Sequence, residues 1–312
     1  MDVPAQAPVG IGRVLGFAVL VLISGPASGF SFEPGAHPPF LAGSSAGVPI
    51  GVIPPAGFYL GSLTTYSQGT FHPDSRLVHP DALRVTTEGL TLTWVPDAEI
   101  WGTRYAASVT QAFVIKTLTS VPPRGINITE SGFVNTGISP LNLAWKLPQD
   151  LYLSARFSFQ PPDGDYDRHH QVNIANHFWA LEPSVGVSYL KGGFDASVRL
   201  LYDIVTENKS SSAPGNFHSR YQSGNIFTGE YAVSQSVGSW RFGISGYGFQ
   251  QTNDDSVGGR TLHGTKLSKV GIGPLLEYNT KWVGINLYYV HDLVWRGAAG
   301  GDNFYLRMTV RF

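Results

Sequence analysis

Residues 302–312 read DNFYLRMTVRF. In an extended chain Phe304, Leu306, Met308, Val310 and Phe312 fall on one face, and Tyr305, Arg307, Thr309 and Arg311 on the other. Side chains of a β-strand point to opposite faces in turn, so this alternation describes a strand with one face in an apolar medium and the other against polar groups. A helix would scatter the same apolar residues around its circumference.

The same period of two runs through the chain from Gly57. Leu151–Phe159 (LYLSARFSF) alternates without a fault. Phe194, Ala196, Val198, Leu200 and Tyr202 oppose Asp195, Ser197, Arg199, Leu201 and Asp203. Trp240, Phe242 and Ile244 oppose Arg241, Gly243 and Ser245, and Val283, Ile285, Leu287 and Tyr289 oppose Gly284, Asn286 and Tyr288. Twelve candidate strands result, near 57–66, 86–95, 100–115, 133–146, 151–160, 176–190, 194–206, 220–237, 240–250, 265–278, 282–295 and 302–312. Several exceed the five or six residues usual in globular sheets.

Their connections sort by length. Short turns fall at 96–99, 147–150, 191–193, 238–239 and 279–281, and longer polar loops at 67–85, 117–132, 161–175, 207–219, 251–264 and 296–301. An even strand count with short turns on one rim and long loops on the other describes a bacterial outer-membrane barrel. A periplasmic β-sandwich has no reason to sort its connections so. Lipid offers no hydrogen bonds, so every strand must be paired on both edges, which closure achieves. A terminal aromatic at the tip of an amphipathic strand also resembles the C-terminal signal of such barrels, which implies the barrel-assembly machinery as a partner. The expected fold is all-β, a single antiparallel transmembrane β-barrel of about 12 strands, embedded in outer-membrane lipid of the bacterial cell.

Composition agrees. Of 312 residues only 14% are charged, 12% are aromatic, and Gly numbers 37; average soluble chains carry about 25% charge and about 7% Gly. Disorder needs low hydrophobicity and high charge, and a coiled coil does not tolerate 21 Pro and 37 Gly. A net charge of −1 lacks the basic excess that binding phosphate backbones requires, so nucleic acid is not an expected partner. Zero cysteines remove thiol nucleophiles, Cys-ligated zinc, iron–sulfur clusters and disulfides.

Val14–Ile23 (VLGFAVLVLI) follows Arg13 and is too short to span a bilayer, which takes about 20 residues. It has the length of a signal-peptide apolar region, with Ala27-Ser28-Gly29 as small residues for cleavage. The chain therefore divides into a signal peptide at 1–29, a segment 30–56, and the barrel at 57–312. The second of these is rich in Pro and Gly and nearly uncharged; it is expected either as a partial plug in the lumen or as a plain leader.

With the apolar face toward lipid, the opposite face points inward. Arg156, Glu182, Arg199, Asp203, Glu230, Arg241, Tyr247 and Glu277 are the candidate lumen-lining residues along a solute path, joined by Asp195, Lys269, Tyr288, Arg307 and Arg311. Both signs are present, which argues against strong ion selectivity and suits either cross-strand pairing or a passage for a small organic solute. Trp94, Trp101, Trp145, Trp179, Trp240, Trp282 and Trp295 lie near strand ends, as girdle residues do. His169 and His170 with Asp165, Asp167 and His177 sit in a long loop, where adjacent histidines point apart, and no metal site is assigned. Neither catalytic nor cofactor-binding residues are assigned.

Four segments together carry a family resemblance: Pro54–Tyr59 (PPAGFY), Tyr221–Gly224 (YQSG), Gly246–Asp255 (GYGFQQTNDD) and Gly271–Tyr278 (GIGPLLEY). They resemble the outer-membrane family labelled "putative MetA-pathway of phenol degradation" over residues 54–312. The resemblance implies a barrel transporter for aromatic compounds and no catalytic residues. The functional expectation is thus a channel for passive uptake of small hydrophobic or aromatic compounds, without enzymatic activity. The alternatives are a barrel-embedded hydrolase of phospholipase type, which needs Ser and His on neighbouring outward positions, and a structural or adhesion barrel with a filled lumen.

Overall fold

The computed structural model describes residues 32–33, 36–71, 82–120, 125–211 and 219–312. The signal-peptide expectation for residues 1–29 lies outside them. Among the described residues seventeen strands form in chain order: β1 (Gly57–Phe71), β2 (Ala82–Val95), β3 (Arg104–Thr119), β4 (Asn127–Phe133), β5 (Gly137–Lys146), β6 (Leu151–Gln160), β7 (Ala180–Lys191), β8 (Phe194–Val205), β9 (Asn208–Ser211), β10 (Ser219–Gln222), β11 (Ile226–Val237), β12 (Trp240–Gln251), β13 (Asp255–Val257), β14 (Arg260–Leu262), β15 (Ser268–Asn279), β16 (Val283–Arg296) and β17 (Ala299–Arg311). Among the described residues no helix forms.

Twelve antiparallel staves close into a barrel. β1 pairs with both β2 and β17, and the remaining neighbours follow in chain order, so no stave has a free edge along its whole length. The fourth stave is broken: β3 pairs β5 through residues 104–110 and β4 through residues 113–119. Above the long-loop rim β9, β10, β13 and β14 form a separate small sheet.

Alternation sets which residues face lipid. On β12, Trp240, Phe242 and Ile244 are exposed while Arg241, Ser245 and Tyr247 are buried. On β8, Phe194, Val198 and Leu200 are exposed while Asp195, Arg199 and Asp203 are buried. In a water-soluble protein such a surface would be an aggregation hazard; in a bilayer it is the required lipid band. Trp94, Trp101, Trp240 and Trp282 stand exposed near the short-turn rim, and Trp179 near the opposite one.

Two expectations need correction. The connection expected as a longer loop at 296–301 is a tight hairpin, with only Gly297 and Ala298 between β16 and β17. Gly297 supplies the positive φ of 66° that so short a turn needs. Trp295 is not a girdle residue. A register shift between Val270 and Gly271 adds one residue to β16, so Trp295 comes opposite Lys269 and faces the lumen. Gly300 makes room for it, because a Cβ there would run into the indole.

Candidate functional site

The lumen holds residues 36–56, which run from the long-loop rim to the start of β1. This inner segment forms no strand or helix, so its carbonyls need partners from the barrel wall. The inward-facing polar side chains supply them. Tyr305 donates to the Ala42 carbonyl and Tyr288 to that of Gly43, both at 2.9 Å. Arg307 donates to the Ser44 carbonyl, and Arg241 to that of Gly47, which also accepts from Asn286 at 2.7 Å. Lower down, Ser154 donates to the Ile50 carbonyl at 2.9 Å, and the Gly51 amide donates to Ser188 at 2.8 Å. Arg311 closes the series on the Ala56 carbonyl at 2.8 Å. Gly43 and Gly47 adopt φ of +83° and +84°, and a Cβ at Gly43 would lie 2.9 Å from the Tyr305 hydroxyl, so the segment needs glycine there for conformation and for space.

Ion pairs organise the wall beneath these contacts. Arg199 donates to Glu182 at 2.6 Å and to Ser45 of the inner segment at 2.9 Å, with Glu230 3.8 Å away. Ser45 in turn donates to Glu230. Arg241 bridges Asp195 at 2.6 Å and Glu277. Lys269 pairs with Asp292 at 3.2 Å, and Tyr247 donates to the same carboxylate at 2.6 Å. Arg156 bonds to Ser139 and Ser158. The eight residues expected along the lumen point inward but fall into separate clusters, around Arg199, around Arg241, around Asp292 and around Arg156, and Asp203 makes none of these bonds. Arg156, Glu182, Arg199, Asp203 and Tyr247 border the cavity described next.

The inner segment does not fill the barrel. Between it and the inner face of β1–β3 lies a cavity of 1630 Å³. Its far wall is built from Leu63, Thr65, Thr87, Gly89, Thr91 and Ala112 among other small neutral residues. Phe40, Ala42 and Ser44 of the inner segment form the near wall, and Arg199, Glu182 and Asp203 touch its edge. Sequence reasoning picked out the charged residues because charge on an alternating strand is conspicuous. It missed the small ones: runs such as Thr87, Gly89, Thr91 and Thr93 look like any strand, and only the closed barrel shows that they face empty space.

The loop 161–179 folds against this assembly. Asp165 accepts from the Phe133 amide at 2.6 Å, across the break between β4 and β5. Lys116 on β3 donates to the Asn173 carbonyl at 2.6 Å. His177 stacks on Tyr166, whereas His170 lies out near Glu130 and Asp167. Among the described residues no group of three His, Cys, Asp or Glu side chains is placed to hold a metal ion. On the outer face His291 bonds to Asp302 at 2.9 Å. The cross-strand neighbours of His291 are Ile272 and Asp302, neither of them a nucleophile.

The fold is that of outer-membrane β-barrels. An outer membrane channel from Pseudomonas putida F1 superposes with a TM-score of 0.69 at 13% identity, over 84% of this chain and 97% of that one. The transport unit of the autotransporter AIDA-I from Escherichia coli gives 0.51 at 9% identity, over 82% and 90%. The translocator domain of the autotransporter NalP from Neisseria meningitidis gives 0.50 at 12%, over 82% and 89%. A search of the curated proteins finds no match. The closed lipid-faced barrel places the chain in the bacterial outer membrane, where fully paired strands are the way for sheet to cross. The profile of the family described as "Putative MetA-pathway of phenol degradation" matches residues 67–308, and the chain belongs to that family.

Proposed function

We propose that the barrel is a channel for passive passage of small hydrophobic or aromatic compounds, with no enzymatic role. The observation that carries this reading is the 1630 Å³ cavity between the inner segment and the neutral face of β1–β3. Its volume exceeds the roughly 300–1,000 Å³ typical of small-molecule sites. Its lining on β1–β3 mixes aromatic and aliphatic groups with hydroxyls, and there only Lys116 carries a charge. A hydrated ion finds little to replace its hydration on such a wall, whereas a compact neutral molecule loses little on contact with it. The outer-face pair His291–Asp302 has no serine beside it in register, which supports a channel over a hydrolase of phospholipase type.

The test is uptake of toluene and of phenol by proteoliposomes, compared with protein-free vesicles. Faster equilibration with protein is expected, with slight preference between small cations and anions in the accompanying conductance. Equal rates with and without protein would end the channel reading in favour of a filled structural barrel.

A further inference from the structure

We propose that Asp203 is the acceptor of a hydrogen-bonding subsite in the lumen cavity, and that this subsite selects small neutral solutes carrying an O–H or N–H donor on an apolar body. The inference rests on the channel reading and goes beyond it by naming the solute class. Asp203 faces inward on β8 between Leu201 and Val205, is 1% exposed, and borders the cavity. Its Oδ1 is buried without a hydrogen-bond partner. The other carboxylates on this stretch of wall each accept at least one donor: Glu182 from Arg199, Glu230 from Ser45 through Oε2 alone, Asp195 and Glu277 from Arg241.

The surroundings of Asp203 make the vacancy on its oxygen consequential. Ile226 lies directly opposite on β11, and Phe249, Leu267 and Phe40 border the same cavity. A buried carboxyl group in apolar company and without a donor carries the full cost of its lost hydration. A solute hydroxyl or amine reaching Oδ1 would relieve that cost, whereas a hydrocarbon of the same shape would leave it in place. Discrimination of this kind is strong because the penalty falls on the wrong solute. Charge decides between a neutral and a cationic donor. The Lys and Arg side chains lining the cavity outnumber the Asp and Glu, so no net negative charge remains to hold a cation.

The experiment is calorimetric titration of the full-length protein, held in amphipol, with phenol and with toluene, which differ by a hydroxyl in place of a methyl group. The wild-type protein is expected to bind phenol more tightly than toluene, against their order of hydrophobicity. Asp203→Leu is expected to weaken phenol about tenfold and to leave toluene unchanged or tighter. Asp203→Asn keeps an acceptor oxygen and is expected to retain most of the phenol affinity. Retarded gel mobility on heating reports whether each variant is folded. Tighter toluene binding by the wild type, which needs no variant, overturns the proposal; so does an equal loss for both probes in Asp203→Leu. Vesicle uptake separates the two readings: discrimination in the titration with no uptake would sink the channel and keep the subsite, and uptake without discrimination would do the reverse.

Discussion

The two walls of the lumen solve opposite problems. From β7 round to β17 the inward side chains are long and charged or hydroxylated, and they hold the inner segment by its backbone. From β1 to β3 they are small and neutral over most of their length, and residues 39–51 make no hydrogen bond to them; only toward the short-turn rim do Arg104 and Tyr59 donate to the Pro54 and Pro55 carbonyls, at 3.0 and 2.6 Å. Residues 39–51 make their wall hydrogen bonds to Gln160, Ser154, Ser188, Arg199, Glu230, Arg241, Asn286, Tyr288, Tyr305 and Arg307, all on the first wall or on β6 beside it. The difference shows that a barrel of this width need not choose between a packed interior and an open one. An irregular chain demands donors for its carbonyls, and the wall that supplies them becomes the filled side. The wall that supplies donors only at its short-turn end is left as the passage.

The most severe way to break this contrast is to remove what the first wall holds. Deleting residues 36–50 should leave the twelve staves paired, since none of those residues belongs to a strand. Single-channel conductance should then rise on the order of tenfold, because a wide barrel with a polar interior conducts freely once unobstructed. Conductance that stays at the wild-type level would mean that the inner segment does not limit flow.

The next effect separates the walls by stability. Arg241→Ala leaves Asp195 and Glu277 buried without their shared cation and removes a donor from Gly47. A loss of about 3–5 kcal/mol is expected, as for other buried pairs broken from one side. Thr91→Ala on the opposite wall removes one hydroxyl, which bonds to that of Thr110 at 2.8 Å, and should cost about 1 kcal/mol or less. Urea unfolding followed by gel mobility compares them. Equal costs would show that the first wall is as wet as the second.

Much of this division was legible in the sequence, and the part that was not has definite physical causes. The alternation of Phe304 to Phe312 and of Phe194 to Asp203 fixes strand direction and facing, since a slip of one residue would turn every charge toward lipid. All eight lumen residues followed from that rule. Trp295 did not, because one extra residue in β16 inverts the phase and a bulge leaves no mark in composition. The hairpin at Gly297-Ala298 was obscured for a related reason: the glycines at 297, 300 and 301 resemble loop residues, yet two of them lie in β17, where they clear space for Trp295 and the backbone of β1. The break between β4 and β5 was likewise hidden, since Asp165, which caps it, comes from another loop.

A smaller change sharpens the comparison from the open side. Thr91→Trp adds bulk to the neutral wall where only the cavity can receive it. Uptake of toluene should fall severalfold, while urea stability should match that of the wild type. A lost fold would indicate that the second wall is packed after all, and unchanged uptake by a folded variant that solute does not pass along it.

The smallest expected effect concerns the top of the inner segment, where a cap outside the membrane replaces the wall. Asp255 on β13 is buried there and accepts from Tyr221 at 2.8 Å, the Gly224 amide at 2.8 Å and Gln251 at 2.7 Å. Tyr221 also lies 3.1 Å from the Phe32 carbonyl, which ties the cap to the start of the inner segment. Burial pushes the Asp255 carboxyl above its ordinary value of 3.8, and these donors offset that push only in part. Glu33, which accepts from Asn208 at 2.7 Å, is raised for the same reason. A carboxyl raised in the closed cap holds its proton there more firmly than in the opened one. Its contribution to closure is therefore complete below the ordinary carboxylate value and is lost as pH climbs through the raised one. Hydrogen exchange at the amides of Gly224 and Thr252 should slow modestly as pH falls from neutral toward 5, after correction for the intrinsic rate. Asp255→Asn should flatten that dependence. Protection that strengthens with rising pH would show that the charged form of Asp255 is the one the cap prefers, and that the top of the segment is held by the same ionic logic as the wall beneath it.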